Sequence, residues 1–325
     1  MRYLTYRLLR MIPVFFLVTI ASFSLLNVLP GDAADAILGN PDVADDPESI
    51  LEARLEIRKE LGLDRPITVR YFSWLGSVLQ GDFGESYVQV APVWELLMER
   101  LPVTIELLIL SQVFALLIAL PMGVYSALRA DQAVDRAISA VTFAIVAMPP
   151  FLLAIILVFL FAVTWRILPS SGYIPIEEGL FQNLYHYILP ATVIGILEVP
   201  ILLRVLRVDL IATLQEDYIA LAKAKGMTTS YILFRHALRP SSFTLVTVLG
   251  LQFGFLISGT VIIEQIFALP GMGKLILEAI DNRDAILLQG GVTLIAIAYV
   301  AINFLVDVLY AFLDPRIGHD SRTKT

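Results

Sequence analysis

The sequence predicts an all-α membrane protein with six transmembrane helices. Of its 325 residues, 58% are hydrophobic and 16% are charged, whereas an ordinary soluble domain has roughly 25% charged residues. The apolar residues gather in runs near the ~20 residues that a helix needs to cross a bilayer. Backbone groups in lipid must be satisfied within their own segment, and the runs lack the alternation of barrel strands, so we expect helices. The predicted spans are residues 11–29, 103–128, 137–163, 187–206, 243–263 and 291–313.

The first apolar run has the basic flank that a cleaved signal peptide would also have. It follows Arg2, Arg7 and Arg10, and the small residues Gly31 to Ala34 come after it. The run is longer than the ~7–15-residue core of a signal peptide, and further apolar runs follow. We therefore expect an uncleaved first span.

A soluble insertion, residues 31–100, separates the first two spans. Its first predicted helix begins near Asp46 and ends at Gly62, and a second runs from Ile67 to Leu79. A turn follows at Gly81–Ser86. This insertion is either a cap packed on the outer ends of the spans or a docking or gating surface for a soluble partner. The candidate docking or gating residues are Asp82, Phe83, Gly84 and Glu85.

Prolines and acidic residues inside the predicted spans mark positions where a helix is costly to form or to bury. Prolines favour kinks at four places, namely Pro121, Pro149–Pro150, Pro190 and Pro200. Of the three intramembrane acids, Glu106 and Asp307 lie near span ends, where they can reach water. Glu198 is deeper, and the sequence leaves open whether it lines a transport path or forms a structural ion pair.

The loop of residues 204–242 is the other substantial polar segment. Two helices are predicted in it, over 208–225 and 229–238, with Gly226 ending the first and Pro240 following the second. Within the first, helical spacing places four side chains on one face, namely Asp217, Ala220, Leu221 and Ala224. Such a face suits insertion into a groove of a partner protein, but an amphipathic helix lying on anionic lipid is equally compatible.

The distribution of basic residues predicts the orientation. With both termini in the cytoplasm, the inner segments hold 14 Lys and Arg in 69 residues, and the outer segments hold 9 in 118 residues. Positive charge concentrates on the cytoplasmic side of membrane proteins. We therefore expect cytoplasmic termini and a cytoplasmic loop at 204–242. The net charge of −7 belongs mainly to the outer segments and predicts no nucleic-acid partner.

Several chemistries find no support in the sequence. It has no cysteine, its three histidines are scattered, and no metal-ligand spacing is present. Gly271–Leu275 superficially resembles a phosphate-binding loop, but Ala268 and Leu275 stand where glycine and Ser/Thr are needed. We expect no ATPase site and no other catalytic site on this chain.

Several segments together resemble the permease subunits of ABC importers of the dipeptide, oligopeptide and nickel group. The resemblance is strongest at Glu216–Tyr218, Ala222–Gly226 and Arg235–Arg239. Further segments that resemble this group, in the same order along the chain, are Arg7–Arg10, Gly81–Ser86, Val261–Gly273 and Asp314–Arg316.

The resemblance implies a single permease domain over residues 1–325 with the type I ABC importer fold, in the bacterial cytoplasmic (inner) membrane. It implies a second homologous permease, two cytosolic ABC ATPases that bind ATP and Mg²⁺, and a periplasmic or lipid-anchored substrate-binding protein. Peptides or related small solutes are the implied cargo. The residues implied to couple with the ATPases are Glu216, Asp217, Tyr218, Ala220, Leu221, Ala222, Ala224 and Gly226.

Two other function classes stay open. A stand-alone carrier driven by protons or sodium would account for the intramembrane acids, but it would not explain the loop at 204–242. A membrane-embedded enzyme would need paired carboxylates or a histidine cluster, which the sequence does not offer.

Overall fold

The structure is a computed structural model that describes residues 2–28 and 65–313. The helix predicted between Asp46 and Gly62 lies outside these residues. The described α-helices, in chain order, are α1 (Arg2–Val28), α2 (Ile67–Leu79), α3 (Val93–Leu128), α4 (Ala133–Val146), α5 (Pro150–Leu157), α6 (Leu180–Leu214), α7 (Asp217–Ala224), α8 (Thr229–Ile232), α9 (Leu238–Gly259), α10 (Val261–Ile266), α11 (Met272–Asp281) and α12 (Ala285–Leu313).

Short elements complete the described part of the chain. Strands β1 (Glu85–Ser86) and β2 (Ala91–Pro92) pair antiparallel, with Glu85 opposite Pro92. Two π-helical stretches, Val158–Thr164 and Leu233–Ala237, follow α5 and α8, and a 3-10 turn covers Ile176–Glu178.

The chain divides into two compact units. The first contains the described residues up to Val103 together with Pro270–Val300. In it, Ser22 on α1 bonds Thr293 on α12 through their hydroxyls at 2.7 Å. Its main apolar core consists of Val78, Phe83, Val93, Leu97, Met272, Leu275, Ala279, Leu287 and Leu288.

The second unit contains Thr104–Leu269 and the described residues from Ala301 onward. Within it, α3 and α6 run parallel and in contact. Asn183 near the start of α6 donates to Glu106 on α3 at 3.3 Å, and Gly123 further along α3 lies against Leu206 further along α6. The core between the helices consists of Ala115, Ala119, Val199, Leu202, Leu203, Leu206 and Leu245.

The segment predicted as one continuous span over 137–163 is instead two helices. Helix α4 ends at Val146, α5 begins at Pro150, and the chain bends by 102° between them. Pro149 is extended, with φ −61° and ψ 141°, because proline sterically disfavours the helical region for the residue before it. The residues before Pro190 and Pro200 are not prolines and stay helical, so α6 continues through both positions.

Three described helices, α3, α6 and residues 285–306 of α12, are long and apolar enough to cross a membrane. The bent pair of α4 with the segment Pro150–Thr164 supplies a fourth crossing if it counts as one span. The helices extend beyond the predicted spans: α3 begins ten residues before 103, and α6 exceeds 187–206 at both ends. The full set of six spans stays a prediction.

The predictions for the loop at 204–242 were wrong at two helix boundaries. The expected helix over 208–225 is interrupted, because α6 ends at Leu214 and α7 begins at Asp217. The second expected helix does not stop before Pro240, since α9 begins at Leu238 and continues through that proline. Pro240 lies just after the π-helical stretch Leu233–Ala237, and local π-helical adjustments of this kind accommodate the hydrogen bond that proline cannot donate.

Candidate functional site

Helix α7 is a short, independent helix with a well-defined start. Glu216 precedes it in an extended conformation, with φ −67° and ψ 148°, which separates α7 from α6. Asp217 lies in the first turn and Lys223 in the last. The negative charge of Asp217 at the start of the helix and the positive charge of Lys223 at its end interact favourably with the helix dipole, so both stabilise α7.

The end of α7 is set by Gly226. Its φ of +76° is in the left-handed region that glycine adopts without strain. The Gly226 N–H donates to the Lys223 carbonyl at 2.9 Å, and the Met227 N–H donates to the Ala222 carbonyl at 3.2 Å. This pair of bonds is a Schellman motif, which satisfies carbonyls that the helix end would otherwise leave free. Gly226 therefore ends α7 and does not need to contact a partner to explain its presence.

The two faces of α7 differ in burial. Ile219 and Ala222 are buried against the rest of the unit. The four residues predicted to share a face, Asp217, Ala220, Leu221 and Ala224, are all exposed. Leu221 is 56% exposed.

Ala222 is therefore the one residue of the expected coupling set that faces inward, because the helix needs an apolar side on which to rest. Tyr218 remains on the exposed side. Partial burial and then the Glu216 carboxylate raise the pKa of the Tyr218 hydroxyl above its usual value, so it is protonated at neutral pH.

The buried side of α7 rests on the ends of two long helices. The cluster around it contains Ala127 near the end of α3 and Leu210 near the end of α6. The remaining members of this cluster are Ile219, Ala222, Ile232, Leu233 and Ala237. The position of α7 is thus determined by α3 and α6.

An ion pair lies beside this cluster. Asp135, in the first turn of α4, is 3% exposed. Its carboxylate accepts two hydrogen bonds from the Arg207 guanidinium, from Nε at 2.7 Å and from Nη2 at 2.6 Å. Ser126 donates its hydroxyl to the same carboxylate, and the Asp131 backbone N–H donates to it at 2.9 Å. The sequence reasoning missed this site, because its two charged members are 72 positions apart.

Glu198 is buried and lies on α6. The Gln252 side-chain amide, on α9, donates to its carboxylate at 2.9 Å. A structural ion pair would need a cation, and none of the ion pairs in the described part of the chain contains Glu198. The contact ties α6 to α9, and a place in the transport path stays a prediction.

The turn at Gly81–Ser86 is part of the packing of the first unit. Gly81 and Gly84 adopt φ of +86° and +84°, and the Asp82 carboxylate accepts from the Gly84 N–H at 2.9 Å. Phe83 is 6% exposed and stacks on Trp94 with ring centroids 5.6 Å apart. Of the four expected docking residues, Phe83 is therefore a core residue, and the other three are exposed.

Ser86 connects this turn to α12. Its buried hydroxyl donates to Asp284 and accepts from the Gln89 N–H at 2.9 Å. Asp284 in turn caps α12 by accepting from the Leu287 N–H at 3.0 Å. The Ser86 hydroxyl thus links the turn at Gly81–Ser86 to Asp284, the residue that caps α12.

Ser86→Ala should lower the free energy of unfolding by about 1–3 kcal/mol, because it leaves buried hydrogen-bonding groups without their partner. Thermal unfolding in detergent measures the effect. Glu85→Ala is the matched control, since this neighbouring side chain is exposed and its removal should change stability by less than about 0.5 kcal/mol. Equal stability of both variants would contradict the role given to Ser86.

Glu264 is a second buried carboxyl that the sequence reasoning did not single out. It is 0% exposed on α10. It accepts hydrogen bonds from the Thr104 hydroxyl at 2.7 Å and from the Thr260 hydroxyl at 3.0 Å. The sequence does suggest the bond from Thr260, because a glutamate four residues after a threonine lies next to it on a helix. It does not suggest the bond from Thr104, which is 160 residues away along the chain.

Metal binding has no support in the described ranges 2–28 and 65–313. No three His, Cys, Asp or Glu side chains in them are grouped so that they could hold a metal ion. The candidate site is the exposed face of α7, whose opposite face packs on the ends of α3 and α6.

Comparison with known proteins gives consistent matches over nearly the whole chain. Residues 119–319 match the family described as binding-protein-dependent transport system inner membrane component. Residues 1–108 match the N-terminal part of a membrane component of such systems.

Individual relatives agree with this family match. A protein of Brucella abortus (strain 2308) is 38% identical over 314 residues, which are 97% of this chain and 98% of that protein. The di/tripeptide transport system permease protein DppB of Pseudomonas aeruginosa (strain UCBPP-PA14) is 35% identical over 333 residues, covering 96% of this chain and 97% of its own. The glutathione transport system permease protein GsiC of Salmonella choleraesuis (strain SC-B67) is 34% identical over 319 residues, which cover 98% of this chain and 99% of GsiC.

A solved structure shares the fold. A chain of the MetNI methionine ABC transporter aligns with a TM-score of 0.57 at 18% identity, over 67% of this chain and 96% of that one. At this identity the likeness concerns the fold alone.

Proposed function

Because this chain belongs to the family of binding-protein-dependent transport system inner membrane components, as an ABC transporter permease of the peptide group, we propose that it forms half of a peptide import path. A second homologous permease forms the other half. Two cytosolic ATPases, which bind ATP and Mg²⁺, supply the energy, and a periplasmic or lipid-anchored binding protein delivers the cargo.

The proposed cargo is a short peptide. The relatives named for di/tripeptide and glutathione transport support this class. We place the chain in the bacterial inner membrane with six spans and with both termini in the cytoplasm, because the density of Lys and Arg is higher on that side.

The exposed face of α7 is the observation that carries the proposal. A helix of eight residues, about 12 Å long, projects an apolar Leu221 between small side chains while its opposite face is buried. A groove in a partner can approach such a face closely, and Leu221 supplies the apolar contact. Nucleotide-dependent closure of the ATPases would then push α7 and, through it, the helix ends on which it rests.

Leu221→Asp should reduce peptide uptake per ATP hydrolysed by about tenfold or more, because it places an unpaired charge in a closed apolar contact. The measurement uses the full assembly in proteoliposomes, with radiolabelled dipeptide uptake and phosphate release recorded together. Leu221→Ala should give a smaller loss, since it removes the apolar contact without adding a charge.

Leu128→Asp is the matched control. Leu128 is also apolar and is 41% exposed, but it lies at the end of α3 and not on α7. We expect this variant to keep most of the coupling. Unchanged coupling in Leu221→Asp, with normal membrane insertion, would refute the docking role of α7.

A stand-alone carrier driven by an ion gradient is the alternative. It requires uptake by this chain without ATPases under an imposed proton or sodium gradient. The family relationship does not favour this alternative, and no observation in the described residues supports it specifically.

A further inference from the structure

The ion pair between Asp135 and Arg207 stands at the base of α7, and its geometry is unusually complete. Each carboxylate oxygen of Asp135 accepts two hydrogen bonds. Oδ1 accepts from Ser126 and from Arg207 Nε, and Oδ2 accepts from Arg207 Nη2 and from the Asp131 N–H. All the strong acceptor positions of this carboxylate are therefore used.

The ion pair joins three helices at one point. Ser126 belongs to the end of α3, Asp135 to the first turn of α4 and Arg207 to the last part of α6. A second contact reinforces the connection of α6 to α4, because the Arg204 guanidinium lies over the Phe143 ring at 4.9 Å from its centroid.

The same helix ends support α7. Ala127, which follows Ser126, and Leu210, three residues after Arg207, both belong to the buried cluster that contains Ile219 and Ala222 of α7. A force applied to α7 therefore reaches α3 and α6 next to the residues that the ion pair joins.

The type of interaction is informative. A buried ion pair often stabilises a protein no better than an apolar contact of similar volume would. A bidentate pair differs in fixing both the distance and the angle between its partners, because the planar guanidinium matches the carboxylate at two points. Apolar side chains would let the helix ends slide or rotate against each other.

We propose that Asp135 and Arg207 are positioning residues for transport: they lock the ends of α3, α4 and α6 into one rigid base, so that movement of α7 is transmitted to the spans. The inference rests on the proposed function, since it presumes that a partner moves α7. It assigns a role to residues outside the helix that the partner would touch.

The decisive variant is Arg207→Lys, which keeps the positive charge but loses the two-point geometry. In the reconstituted assembly, peptide uptake per ATP hydrolysed should fall by about fivefold or more, a typical size for a lost coupling interaction. ATP hydrolysis itself should stay within about twofold of the parent, because the ATPases keep their contact with α7. Asp135→Asn, which keeps the shape and removes the charge, should give the same result and serves if the lysine variant fails to assemble.

Arg136→Lys is the matched control. It makes the same substitution at an exposed arginine of α4 next to Asp135 and leaves both bonds from Arg207 in place. We expect its uptake per ATP to equal that of the parent. A purely structural ion pair would lower the amount of assembled protein in Arg207→Lys but leave uptake per ATP of the assembled fraction unchanged.

An unchanged ratio in Arg207→Lys, or an equal fall in Arg136→Lys, would overturn the inference. The Leu221→Asp variant separates this failure from that of the proposed function. If Leu221→Asp uncouples transport and Arg207→Lys does not, only the rigid base is refuted. If neither uncouples transport, the docking role of α7 is refuted as well.

Discussion

Glu264→Ala should lower the free energy of unfolding by about 3 kcal/mol, one of the two largest stability losses that we expect in this chain. The carboxyl is fully buried, and it accepts hydrogen bonds from Thr104 and Thr260. Alanine removes that acceptor and leaves a cavity, and each of these two effects costs about 1–3 kcal/mol. The threonine hydroxyls cannot recover the bonds from water at a site that water does not reach.

Glu264→Gln provides the control for this variant. Glutamine has nearly the same shape and keeps an acceptor oxygen, so the loss should be less than half that of alanine. Thermal unfolding in detergent compares the two with the parent, and each 1 kcal/mol should shift the midpoint by about 2–4 °C. An alanine variant that unfolds at the parent's temperature would show that this carboxyl is not a structural acceptor.

Gly195→Val should have a comparable effect through steric overlap. A Cβ atom added at Gly195 would lie 2.6 Å from Cδ1 of Phe114 and 2.9 Å from the Ser111 carbonyl oxygen. Because one of these atoms belongs to the backbone, α3 and α6 would have to move apart. Overpacking of this kind costs about 1–3 kcal/mol, and sometimes more. Small residues have this role where helices approach closely in membranes.

Gly76→Ala is the control for Gly195→Val. Gly76 lies inside α2, and no atom is within 4 Å of a Cβ added there. Alanine should stabilise α2 by about 0.5–1 kcal/mol, since it favours the helix more than glycine does. Equal stability of the parent and Gly195→Val, measured by thermal unfolding, would contradict the close contact of α3 with α6.

Local patterns predicted the elements that depend on neighbouring residues. The helix at Ile67–Leu79 has the bounds that the sequence predicts, because Pro66 precedes it and Gly81 follows it in the left-handed region. The exposed face of α7 followed from i+3 and i+4 spacing alone. Gly226 was expected to end this helix, and the Schellman bonds explain how it does so.

Features that depend on tertiary packing could not be predicted in this way. Whether Ala222 faces inward depends on where Leu210 lies, and no spacing within α7 contains that information. The ion pair of Asp135 with Arg207 joins residues from two separate polar segments, each of which has other charges that could have paired. Phe83 was a candidate docking residue because it lies in the turn at Gly81–Ser86, but its ring packs in the core of the first unit.

The bend between α4 and α5 has a consequence for membrane sidedness. In the second unit, Asp135 near the start of α4 is bonded to Ser126 at the end of α3. After the bend, the chain arrives at Asn183, which is bonded to Glu106, 20 residues and about 30 Å back along α3. The chain between Asp135 and Asn183 therefore covers a distance close to the thickness of the hydrocarbon core, as a single broken span would. Because α6 then returns the chain over the same distance, the turn before α4 and helix α7 must emerge on the same side of the membrane, and a labelling reagent that reaches one should reach the other.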